Sequence, residues 1–180
     1  MLYASFACRL TLVAVMALAA VAKLRSPGAF AASLGEFGFV PARLRRPLAV
    51  LVPAAELLVA LLLAVPATVT AGFVAAALLC CGLTAVPVAV VVRGKRVACA
   101  CFGSGGAPMG GWHIARNAVL LAAACLGAAV ALSQGGGVPG RIPGIALAVF
   151  SAGLLTTLTV FVDDIAALFR SPVAAGGPGR

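Results

Sequence analysis

Apolar residues run through this chain in long stretches, and the polar ones gather between them. Five stretches stand out: Leu2 to Ala22, Leu48 to Val65, Ala67 to Val92, Trp112 to Leu132 and Ile145 to Val162. Each approaches or exceeds the roughly 20 residues that carry a helix across a hydrocarbon core of about 30 Å. None shows the period-two alternation of a barrel strand, and inside lipid a helix closes its backbone hydrogen bonds within its own segment. The pattern predicts an all-α integral membrane protein, a bundle of about five transmembrane helices forming one domain over residues 1–170. Pro66 predicts a tight turn that makes the second and third spans an antiparallel hairpin. "SQGGGVPGRIPG" (Ser133 to Gly144) reads as a loop, and "SPVAAGGPGR" (171–180) as a disordered tail.

Between the first two spans, "SPGAFAASLGEFGFVP" places Phe30, Leu34 and Phe37 at spacings of four and three, one face of a helix. Too short and glycine-broken to span, it reads as an interfacial half-helix lying over the bundle at headgroup level, or as a loop with a few packed aromatics. "MALAAVAK" offers small residues where a signal peptidase could cut. The n-region lacks charge before Arg9, however, and the stretch is long enough to span, so the first segment is expected to stay as a helix.

Composition agrees with the pattern. The chain is 63% hydrophobic and 9% charged, with a mean hydropathy of +1.18, against about 25% charged in an ordinary soluble domain. Its net charge of +9 belongs to topology and anionic headgroups, not nucleic acid. Lys23, Arg25, Arg43, Arg45 and Arg46 flank the first connection, and Arg93, Lys95 and Arg96 the third. Two spans separate these connections, so they share one face of the membrane, and the positive-inside rule assigns that face to the cytoplasm.

Three ionisable residues fall inside spans: Arg9, Glu56 and Arg116. Each is costly in lipid and is expected to face the interior, pair, or snorkel. Measured from the shared face, Glu56 lies about 12 Å deep and Arg116 about 6 Å. A Glu56–Arg116 pair beside Asn117 would lock the second span to the fourth, as glue or as the electrostatic setting for chemistry above it. Arg9, about 21 Å from that face, is expected to reach towards the opposite headgroups.

Of six cysteines, Cys8, Cys80, Cys81 and Cys125 lie in apolar spans, where a thiol packs as a small hydrophobe. Cys99 and Cys101 follow "RGKR", sit among glycines and precede a helix N-terminus, features that favour thiolate. In extended chain their Cα atoms would be about 6.6 Å apart, within disulfide range, and the small ring would favour exchange. Thiol redox, metal binding by Cys99, Cys101 and His113, and two incidental loop cysteines remain the alternatives at this point. His113 beside Trp112 also reads as an interfacial anchor. The chain carries no P-loop, HExxH or nucleophile elbow.

The order "RLTLVAVMALAAVAKLRSPGAFAASLGEFGFVP", "PAAELLVALLL", "CACFG" and "ARN" resembles the MauE family of methylamine-utilisation membrane proteins, related to the DoxX-like group. The most specific match is Cys99-Ala100-Cys101-Phe102-Gly103 with Arg116-Asn117. The element Lys23, Leu24, Pro27 and Phe30 is shared more widely. The resemblance implies a multi-pass inner-membrane protein supporting disulfide formation or maturation of an exported methylamine dehydrogenase with a thioredoxin-like partner. The wider plan resembles vitamin K epoxide reductase and quinone-linked oxidoreductases. It implies Cys99 and Cys101 as the redox pair, Glu56 and Arg116 as intramembrane polar residues, and quinone as acceptor. Two departures stand: that plan puts the cysteine loop outside the cytoplasm, where charge puts it inside, and Cys-x-Cys replaces Cys-x-x-Cys.

Overall fold

The computed structural model describes residues 1–94, 111–134 and 137–168, with side chains to residue 161. Six α-helices follow one another: α1 (Leu2–Arg25), α2 (Pro27–Glu36), α3 (Ala42–Ala64), α4 (Val69–Val92), α5 (Gly111–Gln134) and α6 (Ile142–Leu168), with a 3₁₀ turn at Pro66–Thr68. Five of them, all but α2, are long and apolar enough to cross a membrane, and no strand occurs among the described residues. The protein is a multi-pass helical membrane bundle, as the apolar pattern predicted. The tail read as disordered, residues 171–180, lies outside the described residues.

The centre of the bundle is formed by α1, α3, α4 and α5. Leu12, Val15 and Met16 from α1 meet Val59, Ala60 and Leu63 from α3, Phe73, Ala76 and Cys80 from α4, and Leu120 and Ala124 from α5. Residues Ser5, Arg9, Leu12, Met16, Ala19 and Lys23 recur at three- and four-residue intervals, so a single buried stripe runs the length of α1. This places α1 against α3, α5 and α6 together, and α6 packs chiefly on α1. The outward faces carry exposed Leu51, Leu61, Leu78 and Phe150, the surface that lipid solvates.

The predicted half-helix is present as α2. Pro27 occupies its first turn, where a missing N–H costs nothing. Phe30, Leu34 and Phe37, the three positions picked out by their spacing, are buried against Ala49 of α3 and Val90 of α4. Gly38 takes a φ of 76° that a side chain would resist, turning the chain from α2 towards α3. Arg93, just beyond α4, lies over the Phe39 ring at 5.2 Å, so the first and third connections share one end of the bundle as the charge spacing required.

α3 differs from expectation at its start. It begins at Ala42, six residues before Leu48, because Pro41 supplies the extended residue that opens it and "RLRR" forms its first turns. Prolines at 47 and 53 in α3 and at 87 in α4 are accommodated within helix, each removing one backbone donor from the ladder.

α4 and α5 pack tightly at Gly127, where an added Cβ would clash with the Phe73 ring. Gly127→Val should therefore lower the thermal midpoint of the detergent-solubilised protein, by about 1–3 kcal/mol of overpacking. Gly153→Val, on open surface of α6, should leave it nearly unchanged in the same melting assay.

Candidate functional site

A cavity of about 450 Å³ lies among α1, α3, α4 and α5 beneath α2. Its walls are apolar, with Met16, Leu34, Val52 and Leu83 among them, but Lys23, Glu56, His113, Arg116 and Asn117 also face it. Lys23, Glu56, His113 and Arg116 are each less than a tenth exposed. Four ionisable side chains thus converge on one space inside an apolar bundle, where charge is expensive, which makes this space the candidate site.

The geometry at that end is set by an ion pair. Lys23 Nζ donates to Glu56 Oε1 at 2.6 Å and to Oε2 at 2.9 Å, with both side chains buried. Lys23 Nζ also donates to the Ala19 carbonyl at 3.5 Å and lies over the Phe30 ring at 5.7 Å, a cation–π approach. Lys23 therefore joins α1 to α3 and to the underside of α2. Arg116, in the second turn of α5, acts on both members of the pair electrostatically.

This revises the partner read from the sequence. Arg116 and Glu56 do face one cavity, as their depths implied, but the carboxylate is held by Lys23, which the charge pattern had assigned to the headgroup face. The miss was angular: Lys23 was weighed as a charge at the end of a span, whereas it lies on the buried face of α1 that meets α3. The signal was available in the α1 stripe, where Lys23 follows Ala19 and Met16 on the buried face.

Arg9 also departs from expectation. It turns inward rather than to the opposite headgroups, is 7% exposed, and donates from Nε to the Leu63 carbonyl and from Nη2 to the Ala64 carbonyl at 2.8 Å. These carbonyls end α3 and lack helical donors, so a cation there satisfies both the hydrogen bonds and the helix dipole. Thr68 adds a bond from Oγ1 to the Leu62 carbonyl at 2.7 Å.

Among the cysteines, Cys80 is buried in the core and lines the cavity, and Cys8 packs against the core, as expected of small hydrophobes. Cys81 and Cys125 instead point outward. His113 is buried at the cavity, whereas Trp112 beside it is 53% exposed, so only the tryptophan is placed as an interfacial anchor would be. Cys99, Cys101, Phe102 and Gly103 lie outside the described residues, and with them the candidate redox pair and two of the three candidate metal ligands. Among the described residues, no three His, Cys, Asp or Glu side chains come together as a metal site.

Removing one partner of a buried ion pair leaves the other uncompensated. Glu56→Gln should cost about 3 kcal/mol in a thermal unfolding assay in detergent; Arg116→Gln, which keeps the Lys23 contact, should cost less. The reverse order would restore Arg116 as the principal partner. In comparisons with known proteins, no curated protein and no solved structure matches the chain. The family model described as methylamine utilisation protein MauE matches residues 1–132, most of the chain and all of the cavity. The chain belongs to the MauE family, and is a multi-pass membrane protein associated with methylamine utilisation.

Proposed function

We propose that this protein is a thiol-disulfide exchange component of the inner membrane, using Cys99 and Cys101 to support disulfide formation in a partner protein. The observation that carries the reading is where the cysteine segment is tied. Gly94 follows Arg93, which covers Phe39, and Gly111 opens α5 two residues before buried His113. Chain connectivity keeps Cys99 within about 18 Å of Gly94. Cationic residues and a helix N-terminus at the two anchors favour thiolate over thiol.

The exchange balances without any further group. A partner thiolate attacks one sulfur of the Cys99–Cys101 disulfide, forming a mixed disulfide and releasing the other sulfur as a thiolate. The partner's second thiol then displaces the remaining loop sulfur. The partner leaves with a disulfide and the loop holds two thiols, so two electrons and two protons have passed from partner to loop. A thioredoxin-like protein, or an exported methylamine dehydrogenase, is the class of partner that the resemblance implies; the family match itself points to methylamine utilisation.

A quinone, implied by the resemblance, would supply a two-electron acceptor when bound. The residues present fit one: the cavity is apolar along its walls, and His113, Arg116 and Asn117 bring polar groups to one end. Those side chains would hold the head, and the walls formed by Val52, Leu83 and Val86 would exclude water from it.

Alkylation read by mass spectrometry tests the exchange. After mild reduction the protein should take up two more maleimide groups than before it, and Cys99→Ser/Cys101→Ser should show no such difference while outward-facing Cys81 and Cys125 continue to react. The double variant should lose at least tenfold in the rate of partner oxidation. An equal maleimide count before and after reduction, with full partner oxidation by the double variant, would rule the exchange out.

A further inference from the structure

α3 begins before its apolar run does, and its first two turns, Ala42 to Pro47, carry three arginines where the helix leaves the hydrocarbon. Counted from Leu48, Arg46 stands about 3 Å and Arg43 about 7.5 Å further out. Those heights fall within the headgroup layer, roughly 5–8 Å deep on each side of the core.

The three guanidinium groups differ in what they meet. Arg45 turns towards α2: it is half-buried, donates from Nε to the Val40 carbonyl at 3.4 Å and lies against Gly35. Arg43 and Arg46 are exposed, and among the described residues neither has an ion-pair or hydrogen-bond partner. Two forked donors that keep their charge at any ordinary pH thus stand at phosphate height.

Directly below them runs a path for a tail. Val50, Ala54 and Leu61 follow Arg43 by seven, eleven and eighteen residues, close to whole turns of a helix and so on the same side. Val50 also follows Arg46 by four. Val50 is 59% exposed and Leu61 64%, and Leu51 and Leu58 beside them are exposed too. The opposite side of α3 holds the buried Ala49, Pro53, Glu56 and Ala60. The face of α3 that lipid solvates is therefore the face headed by Arg43 and Arg46.

Net positive charge alone gathers a diffuse layer of anionic lipid. Cations aligned with an apolar stripe on one helix do more, because they engage a single molecule by head and tail together. An acidic soluble protein could meet the charges but not the stripe, which lies at hydrocarbon depth. We infer that the outer face of α3 is a binding site for one anionic phospholipid of the phosphatidylglycerol class. Its phosphate is bridged by Arg43 and Arg46, and one acyl chain lies along Val50, Ala54 and Leu61. None of these five residues lines the cavity, and the site is independent of the cysteine exchange.

Native mass spectrometry of the protein in dodecyl maltoside, titrated with palmitoyl-oleoyl phosphatidylglycerol or phosphatidylcholine, tests the site. The first phosphatidylglycerol should be held about tenfold more tightly than phosphatidylcholine. Arg43→Gln/Arg46→Gln should remove that preference. Arg141→Gln, which changes an exposed arginine at the opposite end of the bundle near the Tyr3–Gly144 contact, should leave it intact. Glycerol 3-phosphate, a head without chains, should not displace the lipid, and neither should polyglutamate, which stands in for an acidic protein. Equal retention of the two lipids by the wild type would overturn the inference. So would an unchanged preference in the double variant shown by circular dichroism to be folded, or an equal loss in Arg141→Gln. Displacement by glycerol 3-phosphate would make this a bare phosphate site and displacement by polyglutamate an acidic-protein surface, and either would overturn the lipid assignment.

Discussion

An ammonium and a carboxylate inside an apolar bundle must find one another, and the rest of this structure follows from where they do. Lys23 and Glu56 meet at 2.6 Å with almost no exposure, tying the end of α1 to the middle of α3. At its other end α1 repeats the device: Arg9 takes the final carbonyls of α3. One helix is thus stitched to its neighbour at two depths by its own cations, with Leu12, Val15 and Met16 packed between them. Hydrophobic contact alone would not fix this register, because lipid tails solvate a leucine as well as another leucine does. Polar contacts with a defined geometry can.

The cavity is a consequence of the same arrangement. α3 and α4 are joined closely at the 3₁₀ turn, and at the far end α2 lays Phe30, Leu34 and Phe37 against both of them. Lys23 stands beneath that cover, in contact with the Phe30 ring. The pair therefore does two things: it holds two helices in register, and it forms part of the polar end of the cavity. His113, Arg116 and Asn117 bring α5 to the same end. α5 begins at Gly111, directly after the connection in which thiol chemistry is proposed, and its first two turns supply these cavity residues.

Much of this could be read from residues alone. Apolar run length found five helices, though not the start of α3, and the spacing of Phe30, Leu34 and Phe37 located α2, because both signals are local. Glu56 and Arg116 were brought to one region by depth arithmetic, which needs only helical rise. What escaped was angular. A hydropathy window weighs Lys23 as a charge at the end of a span and does not register that it continues the stripe of Met16 and Ala19. Arg9 was assigned to headgroups for the same reason: its partners are backbone carbonyls of α3, which no side-chain pattern displays. The start of α3 was missed because four residues of "RLRR" look like a loop by composition while Pro41 sets them up as a helix.

Whether the Lys23–Glu56 contact governs the bundle is tested most directly by a double-mutant cycle in thermal unfolding, with Lys23→Met, Glu56→Met and both together in the same detergent. If the contact is the tie, each single change strands one buried charge and costs about 3–5 kcal/mol. The double variant, with two apolar side chains of similar size in their place, should then recover most of that loss. Additive losses, with the double variant the least stable of all, would contradict a direct coupling between these two residues.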